Sequence, residues 1–253
     1  MNFGDLKTSY MVCMLSCGEF SKGSGFFVIY QGRNYLVTDD HVVYDKEKAR
    51  LYGANITVTA TIQNETYESS VVFNLNLDEN QERIIYSEDT DLWAIELTAT
   101  NMQNQHGQGY IRINQLSYLV VQNEDILGRW SHTVYIYGYP TSLMPEAPFE
   151  IKPFLAKGVI SSYDTETGQF VTDIPVYYGN SGCPVIFVNN DNEVHLIGVV
   201  QKLIPFKLDW KNKYETSFVR MDWHNSGYSI CMGVNKLLEF TSVPLKRDTS
   251  GFC

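Results

Sequence analysis

Short β-rich runs recur along the whole chain, and this rhythm constrains the fold more than any other feature. Seven fall at 10–16, 25–30, 34–38, 55–63, 66–73, 82–87 and 92–97. Seven more fall at 117–121, 132–138, 154–162, 168–173, 184–188, 195–201 and 228–232. Many alternate apolar and polar residues, as in Ile56-Thr57-Val58-Thr59-Ala60-Thr61-Ile62, the period of a strand with one buried face. Strands this short and evenly spaced point to an all-β sandwich or barrel and away from βαβ units. A polar stretch at 99–115, rich in Asn, Gln and Gly, divides the two sets and fits a crossover between two barrels. With 253 residues, 44% of them hydrophobic, the chain has ample apolar surface for such a core. Near the end, Val234-Asn235-Lys236-Leu237-Leu238-Glu239-Phe240 has helical spacing, and 242–253 reads as a frayed tail. The segment 203–226 is longer than a hairpin needs and reads as a functional loop.

Charge and cysteine usage exclude several classes. A formal net charge of −10 and a pI near 4.9, without a Lys/Arg cluster, argue against a nucleic-acid or anionic-membrane partner. The five cysteines, Cys13, Cys17, Cys183, Cys231 and Cys253, are odd in number and scattered, unlike a disulfide framework. Cys13 and Cys17 stand four apart, but without a second Cys or His pair at zinc spacing, buried strand thiols are favoured over a metal site. The apolar stretch at 10–16 is too short, and lacks the basic flank, for a signal peptide. Asn55-Ile56-Thr57 and Asn64-Glu65-Thr66 match glycosylation sequons, which chance explains in a chain without an export signal. The expected compartment is the cytoplasm, of a bacterium.

Three segments carry chemistry. Gly179-Asn180-Ser181-Gly182-Cys183-Pro184 places a serine between glycines at a tight turn feeding the apolar run Val185-Ile186-Phe187-Val188. Such glycines let successive N–H groups converge on one spot, as a developing oxyanion requires. Leu36-Val37-Thr38-Asp39-Asp40-His41-Val42-Val43 follows Gly23-Ser24-Gly25-Phe26-Phe27-Val28 across the polar turn Gln31-Gly32-Arg33-Asn34. The pair reads as a hairpin whose second strand delivers His41 at its end. Thr90-Asp91-Leu92-Trp93-Ala94-Ile95 opens a mostly apolar strand with an acid, which can hold an imidazole in one tautomer. A hydroxyl is a poor nucleophile at neutral pH, so Ser181 needs His41 as base, and His41 needs Asp91 to offset its charge. Asp89 is the rival acid. Asp39 and Asp40 read as solvated carboxylates, with the alternative that their charge raises the His41 pKa. His106, His132 and His224 read as exposed, and His195 as packed.

On these residues the chain resembles chymotrypsin-fold serine endopeptidases, and within them the bacterial high-temperature-requirement type. The likeness spans most of 20–240. It rests on Gly23-Ser24-Gly25-Phe26, Thr38-Asp39-Asp40-His41-Val42, Thr90-Asp91-Leu92-Trp93-Ala94-Ile95, Tyr137-Gly138-Tyr139-Pro140, Gly158-Val159-Ile160-Ser161 and His195-Leu196-Ile197-Gly198-Val199, in family order. The order His41, Asp91, Ser181 is also that of chymotrypsin-type enzymes. Departures are Val42, where trypsins carry a cysteine, Asn180 in place of their ion-pairing Asp, and Cys183 in place of a small residue. Activation by insertion of a new N-terminus is therefore not expected, and with the chain stopping at Cys253 no PDZ domain is expected.

The resemblance implies two six- to seven-stranded antiparallel barrels with a short C-terminal helix. Residues 1–115 would carry His41 and Asp91, and 116–253 would carry Ser181, the helix and the tail. It implies an oxyanion hole from the Gly179 and Ser181 amides, and a primary pocket bounded by Pro175, Val199, Val200, Gln201, Ile230 and Met232. An apolar pocket favours an uncharged side chain over Lys or Arg. Neither metal nor organic cofactor is implied. The expected partner is a protein or peptide substrate, with limited cleavage of one intracellular protein, in stress or antiphage defence, and with room for an activating partner. The rival reading is a catalytically silent relative that binds protein, and a further one makes Cys183 or Cys231 a redox switch.

Overall fold

The computed structural model describes residues 11–18, 21–63, 68–104, 111–112, 116, 118–120, 132–143, 153–191, 193–211 and 219–241. The first sheet is built from β1 (Val12–Cys17), β2 (Ser21–Tyr30), β3 (Arg33–Asp39), β6 (Asn55–Gln63), β7 (Glu68–Asn76), β8 (Ile84–Ser87) and β9 (Leu92–Leu97). Its order is β7-β6-β1-β2-β3-β9-β8. Two two-residue strands, β10 (Gln103–Asn104) and β11 (Leu119–Val120), extend it on β7 and β2. Between β3 and β6 lie α1 (Asp40–Val43) and the small ribbon of β4 (Tyr44–Asp45) and β5 (Arg50–Leu51). The second sheet is a closed barrel. It is formed by β12 (Thr133–Gly138), β13 (Phe154–Tyr163), β14 (Gln169–Thr172), β15 (Pro184–Val188), β16 (Val194–Lys211) and β17 (Val219–Gly233), with α2 (Val234–Thr241) after it. The architecture is the expected all-β, chymotrypsin-like double barrel.

Period-two burial explains the sheets. Leu15, Phe27, Leu36, Val58, Phe73 and Trp93 fill the first, and Val134, Ile136, Ile160, Phe170, Val185 and Ile197 fill the second. A third cluster lies between them, where Phe26, Val28, Val37, Leu92 and Ala94 meet Tyr139, Ile186, Leu196, Val199 and Met232. Central strands therefore bury both faces, as Leu92-Trp93-Ala94-Ile95 does without a break. The β2–β3 hairpin closes through Gln31 and Gly32 alone, with Tyr30 opposite Arg33. Both turn residues have positive φ, 49° and 76°, the twist that suits a two-residue hairpin.

Two organisational expectations need correction. Among the described residues of the run at 117–121, Leu119–Val120 form a strand that pairs in parallel with β2 of the first sheet and not with the second barrel. The segment 203–226 is no irregular loop, because β16 and β17 continue into it as a ribbon paired as far as Lys211 and Val219. Its alternation, Phe206-Lys207-Leu208-Asp209-Trp210-Lys211, is a strand signal that Pro205 obscures. Among the described residues no helix is long and apolar enough to cross a membrane.

Candidate active site

The candidate histidine is not at a strand end. β3 stops at Asp39, and His41 lies in the single turn of α1. The Asp40 N–H donates to the Asp91 carbonyl at 2.8 Å and so fixes α1 against the turn before β9. Asp91 has φ 53°, in the left-handed region that aspartate tolerates better than most side chains. Its Oδ2 lies 2.7 Å from His41 Nδ1. Its Oδ1 accepts from the His41 backbone N–H at 3.3 Å and from Lys46 Nζ at 3.1 Å. With Nδ1 facing a carboxylate, that nitrogen carries the proton, and Nε2 is left as the base.

The candidate nucleophile sits in the turn that precedes β15. Tyr177 and Asn180 hold it from within: the Tyr177 N–H donates to Asn180 Oδ1 at 2.9 Å, and the Asn180 N–H to the Tyr177 carbonyl at 2.9 Å. Ser24 holds it from the first barrel. Its N–H donates to the Ser181 carbonyl at 2.8 Å, and its Oγ donates to the Gly179 carbonyl at 2.7 Å. Gly179 has φ 97°, and a Cβ there would fall 2.4 Å from the Thr141 nitrogen and 2.5 Å from the Tyr139 carbonyl oxygen. Only glycine fits. Among the described residues, neither the Gly179 nor the Ser181 amide has an acceptor within the protein.

The Ser181 hydroxyl donates to the Gln201 carbonyl at 3.2 Å, and among the described residues no hydrogen bond joins it to His41. The buried Gln201 side chain spans the two barrels, its Nε2 donating to the Thr90 carbonyl and its Oε1 accepting from Gln169 Nε2 at 3.2 Å. Of the other pocket candidates, Val199 and Met232 are paired in register and buried between the barrels, and Val200 is buried inside the second. Pro175 is exposed and Ile230 half-buried.

Two carboxylates beside the histidine depart from expectation. Asp39 and Asp40 are both wholly buried, not solvated. Asp39 ends a strand that lies between β2 and β9, so it has no face toward water, and Asp40 opens α1, which is tied to the Asp91 carbonyl. Burial pushes the Asp39 carboxyl well above the usual carboxylate range, Asp91 adds to this, and His41 and the Gly182 amide oppose it. For His41, burial pulls the pKa down, but the Asp91 hydrogen bond and the charges of Asp39 and Asp91 outweigh it, so the net shift is upward. For Asp91, burial pushes up, but His41 and Lys46 outweigh it, and its pKa is lowered.

One oxygen each of Asp39 and Asp91 and a ring nitrogen of His41 lie within 4.8 Å of one another, a spacing a cation can use. Both Asp91 oxygens, however, are already engaged, one by the imidazole and one by the Lys46 ammonium. The buried thiols do not resemble redox centres. Burial pushes Cys183 and Cys17 up to about 11, and raises Cys13 and Cys231 as well, so the reactive thiolate is disfavoured. His132 and His224 are exposed, and His195 is half-buried beside Phe187, while His106 lies outside the described residues. Ser24 lies in the Gly23-Ser24-Gly25-Phe26 motif, though nothing in the sequence shows its hold on the nucleophile turn, and Lys46 has no sequence signal of its own. Lys46 sits in the charge run Asp45-Lys46-Glu47-Lys48, which reads as a solvated turn.

Comparison with known proteins bears on the family and the fold. The trypsin-like peptidase domain family matches residues 23–199. The chain superposes on Deg5 with a TM-score of 0.55 at 17% identity, over 92% of this chain and 88% of that one. It superposes on AL20, a thermostable serine protease from an extremophilic microorganism, with a TM-score of 0.57 at 11% identity, over 93% and 97%. A third similar structure is the HtrA-type protease AlgW with tripeptide, with a TM-score of 0.51 at 16% identity, over 92% and 60%. A search of curated proteins finds no match by sequence.

Proposed function

Because the chain belongs to the trypsin-like peptidase domain family and is on that ground a serine endopeptidase, we propose that Ser181, His41 and Asp91 are its catalytic triad. The observation that carries this reading is the 2.7 Å contact between His41 Nδ1 and Asp91 Oδ2, on a turn tied to the nucleophile loop through Gln201. In the reaction the Ser181 hydroxyl leaves the Gln201 carbonyl and turns to His41 Nε2, which takes its proton as Oγ attacks the scissile carbonyl. The tetrahedral oxyanion forms against the Gly179 and Ser181 amides. The C–N bond breaks as His41 returns the proton to the leaving amine, and water deacylates Ser181 by the same route in reverse.

The substrate is a protein or peptide, with an uncharged side chain preferred at the cleavage site, where Pro175 and Ile230 stay accessible. We assign it limited cleavage of one partner protein in a bacterial cytoplasm, under stress or phage attack. Digestion of a peptide library tests the pocket: cleavage mainly after Lys or Arg overturns the preference. Comparing new protein N-termini in cells carrying native protein or Ser181→Ala tests the rest, one or a few serine-dependent sites being expected and broad degradation contradicting it. The Ser181–Gln201 hydrogen bond favours a second reading, a silent relative that binds without turnover. Peptide hydrolysis by the native chain, absent in both Ser181→Ala and His41→Ala, excludes it.

Two further outcomes follow from the geometry. Gly179→Ala places a methyl against Thr141 and Tyr139 and displaces one oxyanion donor. It is expected to lower kcat by about 10²–10³, as the loss of one such donor does elsewhere, with folding checked by circular dichroism. Lys46→Gln removes a cation that opposes protonation of His41. The imidazole then holds its proton to higher pH, so the acid limb of the kcat/KM profile moves upward. A limb that stays put or moves down contradicts this.

A further inference from the structure

We propose that Asp39 is a positioning residue for acyl transfer, setting the nucleophile turn against the His41–Asp91 pair through the Gly182 amide. The inference rests on the reading of Ser181, His41 and Asp91 as the triad. Asp39 ends β3, two residues before His41, and its side chain is wholly buried. Its Oδ2 accepts the Gly182 N–H at 2.8 Å, and Gly182 directly follows Ser181. A single side chain thus touches the nucleophile turn from the strand that leads into the base. One of its oxygens is also within 4.8 Å of a His41 ring nitrogen and an Asp91 oxygen.

The contact is directional and does not merely satisfy a buried donor. The Gly182 N–H also reaches the Val200 carbonyl at 2.9 Å, so it stays bonded if the Asp39 side chain is removed. What Asp39 adds is a second anchor, from the other barrel. Space at this point is fully used, since a Cβ on Gly182 would fall 2.3 Å from Thr38 Oγ1 and 2.2 Å from the Ser24 carbonyl oxygen. A small rotation of the turn therefore changes where Ser181 points.

The other oxygen, Oδ1, is buried and has no partner among the described residues. An ionised carboxylate with one bare oxygen, close to Asp91, is expensive to bury. The groups facing it are His41, Asp91 and Asp40, with Lys46 reached across Asp91, and Cys183 and Cys231 behind. The neutral acid removes that buried charge: Oδ2 accepts from Gly182 and Oδ1 carries the proton, and the upward shift of His41 then rests on Asp91 alone. Asparagine reproduces that pattern of one acceptor and one donor in the same volume. Alanine and leucine reproduce neither, leucine while filling the space.

The test measures kcat and KM for a fluorogenic peptide, the fluorophosphonate labelling rate of Ser181, and thermal unfolding, in native protein, Asp39→Ala, Asp39→Leu and Asp39→Asn. The expected result is a fall in kcat of about 10- to 100-fold in the Ala and Leu variants, the scale of a misplaced reacting group, with KM little changed. Labelling slows in step, and Asp39→Asn recovers most of the loss. The proposal is overturned if Ala and Leu keep native kcat, if only KM changes, or if Asn is as impaired as Ala. Should neither Ala nor Leu fold, Asp39→Asn decides alone: near-native kcat supports the proposal and a tenfold loss overturns it. Absence of serine-dependent labelling in the native protein would instead remove the triad reading itself.

Discussion

Replacing Ser181 with alanine is expected to lower peptide-bond turnover by about 10⁶, the scale seen when such a nucleophile is removed from a comparable triad. The fold should survive, because Ser181 is held by its backbone: its carbonyl accepts from Ser24, and its side chain makes one 3.2 Å bond to Gln201. Losing that bond costs about 1 kcal/mol at most, since the hydroxyl is partly exposed. Activity and stability should therefore separate cleanly. Thermal unfolding within a few degrees of native, together with activity at the background rate, is the predicted pair. Substantial residual activity would move the nucleophile elsewhere, and an unfolded variant would show that the turn depends on the hydroxyl.

Asp91→Asn is expected to reduce kcat by about 10⁴, the effect of the same exchange in the chymotrypsin triad. The asparagine can present its amide N–H to Nδ1, which stabilises the tautomer with its proton on Nε2, where it cannot accept one from Ser181. The exchange also removes the charge that favours imidazolium. The residual activity should therefore show its acid limb at lower pH than native. Lys46 loses its counterion too, but at a half-exposed side chain this contributes little to stability. A variant with near-native kcat, or an acid limb moved upward, contradicts the assignment of Asp91.

Much of this was legible in the chain because local patterns and long-range roles coincide. Ile56–Ile62 alternates with period two and forms β6, and Val234–Phe240 has helical spacing and forms α2. The motif around Ser181 requires glycine at Gly179 and Gly182 for reasons of backbone sign and space, so it stands out in the sequence. Asp39 and Asp40 escape a sequence reading because charge predicts exposure, whereas their burial is set by the strands on either side of β3 and by the packing of α1, which no local window contains. Lys46 was hidden for the converse reason: its partner Asp91 is distant in the chain, and a lysine in a charged turn is ordinarily solvated. The ribbon of β16 and β17 carries an alternating pattern, but Pro205 and its length beyond the barrel disguised it. The role of Gln201 between Thr90 and Gln169 depends on two barrels meeting, and nothing short of the assembled fold reveals it.

The most direct measurement is the site and rate of covalent labelling by diisopropyl fluorophosphonate, read by intact mass and peptide mapping. One adduct per chain, located on Ser181 and formed far more slowly in His41→Ala, is the predicted result. An adduct on another residue, or an equal rate in His41→Ala, would contradict a hydroxyl at position 181 activated by that imidazole.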